Sequence, residues 1–114
     1  MPQATNTLTR LTSTIDTLFA DHQVALAEKR RVYALAERAT DDKVDAAEAA
    51  CDVAHGAVEN IADAILMAPA MSVADLAIKA QLLLARGADP ADLFHYRPED
   101  LTRFVQEVRG LAGL

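Results

Sequence analysis

A chain of 114 residues is enough for one domain, and 52% hydrophobic with 25% charged residues places it among globular proteins rather than disordered or fibrous ones. Four Gly and four Pro allow few turns, 4% aromatic residues allow only a thin core, and a single cysteine rules out a disulfide scaffold. The net charge of −6 is concentrated: residues 41–68 carry one basic and seven acidic side chains, which argues against direct nucleic-acid binding and leaves room for a basic protein partner.

No Gly or Pro falls between Gln3 and His55. Leu8, Leu11, Ile15, Phe19, Leu26 and Tyr33 recur at spacings that fit one helical stripe, with His22 and Lys29 filling its gaps. This predicts a first helix from about Thr7 to Ala39. Thr40-Asp41-Asp42 reads as an N-cap followed by acidic first-turn residues, which suit the positive end of a helix. The next helix is the clearest pattern. Val44, Ala47, Cys51, Ala54, Val58, Ile61 and Ile65 alternate spacings of three and four, a heptad seam whose small residues let a neighbouring helix approach closely. Pro69 ends this helix near Met67.

Ser72-Val73-Ala74-Asp75 is a second start signal, a capping box with Asp in place of Glu. It opens a third helix, Val73 to Arg86, with Leu76, Ala77, Ala80, Leu83 and Leu84 expected inward and Gly87 expected in the left-handed position beyond its end. Asp89-Pro90 predicts a short helix through Leu93 and Phe94. Pro98-Glu99-Asp100 opens a last helix with Leu101, Phe104, Val105 and Val108 on its inner face. No segment reads as a strand. The expected fold is all-α and one domain: a long antiparallel, coiled-coil-like helical hairpin over residues 1–68, then short C-terminal helices over 69–114 as a cap.

A helix of about 33 residues is about 50 Å long, whereas a compact domain of this size has a radius of gyration of about 13 Å. The long helices must therefore project. The chain either turns back at residues 40–43 or continues as one helix that pairs with another chain; the capping residues and the abrupt change of charge favour the turn. With so thin a core, self-association through the Ala-rich seam, as a dimer, is expected. Cys51 suits a reducing cytoplasm. The longest uncharged apolar run, Ala64 to Met71, is too short to span a bilayer and is broken by Pro69, so a soluble cytoplasmic protein without a membrane partner is expected.

Glu59 to Met67, the step Pro69-Ala70-Met71-Ser72, and Ala74, Ala77 and Lys79 together resemble small uncharacterised all-helical proteins of alphaproteobacterial genomes and their prophages. The resemblance implies a phage or mobile-element origin and no activity. Leu82 to Pro90 is similar to the end of an ankyrin repeat, but it occurs once, and stacking needs about three repeats.

Several residues invite a functional reading. Cys51 and His55, one turn apart, have zinc-ligand chemistry, although Cys51 also fits the seam as a small core residue. His22 falls opposite Val58 and Glu59 in a hairpin, where it could respond to pH or serve as a core histidine. Lys29-Arg30-Arg31 would pair with Glu48 and Asp52. Asp45, Asp52 and Glu59, seven apart, form an acidic row able to dock a basic protein or mimic nucleic acid, or an ordinary solvated face. Phe94, Tyr96 and Arg97, between two prolines, form a partner-binding patch or plug the C-terminal core. No Gly-rich phosphate loop, nucleophile elbow, HExxH or Glu-x-x-His is present. The sequence thus points to an interaction or structural accessory protein rather than an enzyme, with no cofactor or metal, or else to an acidic inhibitor acting through helix 41–68.

Overall fold

The computed structural model describes residues 13–87 and 89–114, and every regular element among them is helical. Helix α1 (Thr14–Glu37) begins at a full capping box. The Ser13 hydroxyl accepts from the Asp16 N–H at 3.0 Å, and the Asp16 carboxylate accepts from the Ser13 N–H at 3.1 Å. Ser13 is extended, at φ −82 and ψ 164, so α1 starts here rather than at Thr7; the rest of the expected start lies outside the described residues. The chain then reverses through a 3-10 turn, Asp41–Lys43, with Asp41 at φ 55, a left-handed conformation that Asp tolerates better than most residues. This turn excludes one continuous helix. Thr40 is extended as expected of an N-cap, but its side chain makes no capping bond.

Helix α2 (Val44–Met67) runs back antiparallel to α1, and their pairing is the most extensive contact between elements. The seam is used within the chain. Ala54, Val58 and Ile65 are buried, Ala47, Cys51 and Ile61 are half-buried, and Val44 is open at the turn end. Helices α3 (Val73–Arg86), α4 (Pro90–Tyr96) and α5 (Pro98–Leu111) pack at the end of the hairpin remote from the turn. There Ile15, Ala62, Ile65, Leu66, Leu82, Leu83 and Leu93 form the core, with Phe19 and Phe104 against it.

The cap departs from its apolar pattern at three places. In α3 the buried row is Asp75, Lys79, Leu82 and Leu83, while Ala77 and Leu84 are exposed. Gly87 is not left-handed, at φ −115. A Cβ there would lie 2.9 Å from Leu93 Cγ, so glycine serves the close approach of α4. Helix α5 buries no residue fully, and Val105 and Val108 are exposed.

Polar ties hold the cap instead. Lys79, 1% exposed, donates from Nζ to the Leu66 and Ala68 carbonyls at the end of α2 and to Glu107 of α5. A cation is favourable at a helix C-terminus, and a buried one requires partners. The second Glu107 oxygen accepts from the Ala70 N–H at 2.6 Å. Asp75, equally buried, accepts from the Met71 N–H and from the Ser13 hydroxyl, both at 2.9 Å, so it ties the start of α1 to the start of α3. The result is flat, 57 × 44 × 15 Å, with a radius of gyration of 17.7 Å.

Lys79→Ala removes the donor from a carboxylate and two helix-end carbonyls. It is expected to lower the unfolding free energy, measured by urea titration, by about 3–5 kcal/mol. Leu111→Ala, at an exposed position, is expected to change it by less than about 0.5 kcal/mol.

Candidate interaction surface

Helix α2 has a second row beside its seam, uncharged and apolar except at Asn60. Ala46, Ala50, Val53, Ala57, Asn60, Ala64 and Met67 alternate spacings of four and three, and all are exposed. The row carries no charge, and Val53 is 75% exposed. Alongside it, α1 exposes Ala20, Val24, Glu28, Arg31 and Leu35. Because α3–α5 occupy the opposite side, no described residue covers this outer face along the hairpin. Between the two rows runs a groove of about 500 Å³ whose lining includes Val32, Ala50, Val53 and Ala57, with Glu28 and Arg31 at its edge. A helix that is apolar on more than one side calls for more than one covering, and the described residues provide one.

Charge is segregated across the hairpin. The α1 side carries Lys29, Arg30, Arg31 and Arg38 beside Asp16, Asp21, Glu28 and Glu37, and is close to neutral; the turn and the start of α2 carry Asp41, Asp42, Asp45, Glu48 and Asp52 beside Lys43 alone. The expected pairing of Lys29-Arg30-Arg31 with Glu48 and Asp52 is not made. Arg31 pairs with Glu28 at 2.5 Å, and Lys29 Nζ lies 3.1 Å from His55 Nδ1. Successive helical residues turn by about 100°, so facing Lys29 toward α2 turns its neighbours away. Among the described residues, Arg30, Arg38, Asp45, Glu48 and Asp52 take part in no ion pair.

The acidic row is divided. Asp45 and Asp52 are exposed, whereas Glu59 is half-buried and accepts from Arg86 at 2.6 Å. The buried Arg86 side chain also meets Asp63 at 2.7 Å and Asp100 at 3.4 Å, joining α2, α3 and α5. This node was not anticipated from sequence: a lone arginine in the last turn of α3 reads as an ordinary C-terminal cation. Leu93, not Phe94 or Tyr96, plugs the C-terminal core. Phe94 is 70% and Tyr96 78% exposed, while Arg97 is half-buried near Asp63 (3.6 Å) and Asp100 (4.0 Å).

His22 does lie across from Val58 and Glu59. The three line a cavity of about 220 Å³ with Lys29 and Arg86, and the buried His22 Nδ1 has no hydrogen-bond partner among the described residues. Burial lowers its pKa from 6.5, with Glu59 opposing and Arg86 adding to the effect. Cys51 is half-buried on the seam, and His55 faces Lys29 and, at 3.8 Å, Glu59. Among the described residues no three His, Cys, Asp or Glu side chains gather as a metal site.

No protein-family model, curated protein or solved structure matches this chain. No described helix is long and apolar enough to cross a membrane.

The lowered His22 pKa sets a pH dependence. As pH falls below about 6.5, the unfolded chain takes up the proton before the folded one, so stability present above that pH declines until the folded imidazole also protonates. Urea unfolding at about pH 7.5 and about pH 5.5 is expected to show this decline, and His22→Gln to remove that component.

Proposed function

We propose that this chain is a small protein–protein interaction module of the cytoplasm, an accessory protein without catalysis, whose docking surface is the outer face of the α1–α2 hairpin. The observation that carries the reading is the uncharged row from Ala46 to Met67, exposed along α2 beside a groove that no described residue fills. Monomeric proteins rarely leave a contiguous apolar face of this kind open to water. Phe94 and Tyr96, two exposed aromatics on α4, supply a second contact of the type that anchors interfaces.

Docking of a basic protein on the acidic row draws support from the exposure of Asp45 and Asp52. It loses Glu59, which is engaged by Arg86. The apolar face is continuous where the acidic row is not, and is therefore the preferred surface.

A photo-crosslinking amino acid placed at position 53 in cells is expected to yield a discrete adduct, with none from the exposed control position Thr102 on α5. Absence of any adduct from position 53 would contradict this reading.

A further inference from the structure

We infer that the joint between the hairpin and the cap is a proton-sensitive latch, closed while His22 is neutral and opened at the Glu59–Arg86 contact, with the helices intact, when that imidazole takes up a proton. The latch lies on the inner side of the hairpin and is independent of the outer face.

Three helices meet at the cavity of about 220 Å³, whose walls are mostly apolar. The titratable and charged groups that line it are His22 and Lys29 of α1, Glu59 of α2 and Arg86 of α3. Behind them, Asp63 of α2 and Asp100 of α5 hold Arg86. His55 of α2 stands 3.8 Å from Glu59 and 3.1 Å from Lys29. His22 is 7% exposed, and its ring stacks on Phe19 with centroids 6.2 Å apart.

This cluster is short of acceptors. Glu59 is the one lining side chain that can accept from a cation, and its carboxylate already accepts from Arg86 at 2.6 Å. Arg86 also takes the Glu59 carbonyl, at 3.1 Å, yet Arg86 Nε remains buried with no partner among the described residues. A neutral imidazole suits such a place. With its lone pair on Nδ1, it leaves only an unused acceptor. An imidazolium has two N–H donors and no lone pair. The buried His22 Nδ1 then becomes a charged donor with nothing to receive it, which is costly. Lys29 and Arg86, two cations on the same cavity, add to that cost. Relief comes when Glu59 leaves Arg86 for the imidazolium or when water enters between α1 and α3. Either change loosens the last turn of α3. The start and middle of α3 stay tied, because the Asp75 and Lys79 contacts involve no imidazole.

Hydrogen exchange tests the latch, with each rate divided by its unstructured-chain value at the same pH. From about pH 7.5 to about pH 5.5, protection of residues 80–86 of α3 is expected to fall at least about threefold, toward the limit of about tenfold that one unit below the ordinary imidazole value of about 6.5 allows. Residues 44–53 of α2, remote from the cavity, are expected to change by less than about 1.5-fold. His22→Gln is expected to abolish the pH dependence of α3, and His55→Gln to retain it. Unchanged protection in α3, an equal fall in both segments, or a fall that persists in His22→Gln would overturn the inference. If His22→Gln does not fold, the native chain decides. The ring signals of His22 and the Nε–H signal of Arg86, followed by NMR over the same pH range, are expected to move with one midpoint. Separate midpoints, or an Arg86 signal that does not move, would overturn the inference.

Discussion

Two parallel apolar rows on α2, with only one of them covered, determine most of this molecule. The seam from Val44 to Ile65 takes α1, and the adjoining inner side takes α3 to α5. Among the described residues none wraps the other side, and the seven residues of the buried cluster gather at one end of the hairpin, so the described fold is flat.

Ionic ties decide which side is left open. Helix α5 has an amphipathic sequence yet buries nothing fully, and a cap with so little apolar contact needs directional anchors. Lys79 seals the last carbonyls of α2 and captures Glu107; Asp75 joins the two N-caps; Arg86 gathers Glu59, Asp63 and Asp100. Each is a buried charge whose removal from water is offset by several partners at once. All three lie on the inner side of the hairpin, so the cap is fixed there, and Glu59 is withdrawn from the acidic edge while Asp45 and Asp52 stay in solvent.

The backbone plan was legible in the sequence because it rests on local chemistry. Ser72 caps α3 and accepts from the Asp75 N–H, Asp89 and Pro90 start α4, and the helix before Pro69 stops at Met67. The heptad spacing marked the packing face of α2, read there as a self-association seam, whereas Ala54, Val58 and Ile65 are buried within one chain. What the sequence concealed depended on distant partners. Asp75 was legible only as a capping residue, and Lys79 carried no structural reading, because the groups that neutralise them belong to other elements. The same blindness put Leu84 inward and left Arg86 unremarked. Gly87 was read as a left-handed stop, whereas its role is to let Leu93 approach. The outer row went unseen for another reason: the seam beside it has the same spacing, and alanine marks a helix as readily as it marks a contact. Phe94, Tyr96 and Arg97 were legible as a group, but the residue that turns inward is their neighbour Leu93, and both aromatics stay exposed.

One row of α2 is covered within the chain and the adjoining row is open. Thiol labelling of single cysteines placed at position 53 on the open row or at position 62 on the covered one, each with Cys51→Ala, tests this directly. Rapid labelling at 53 with strong protection at 62 is the predicted result. Equal protection at the two positions would contradict the account.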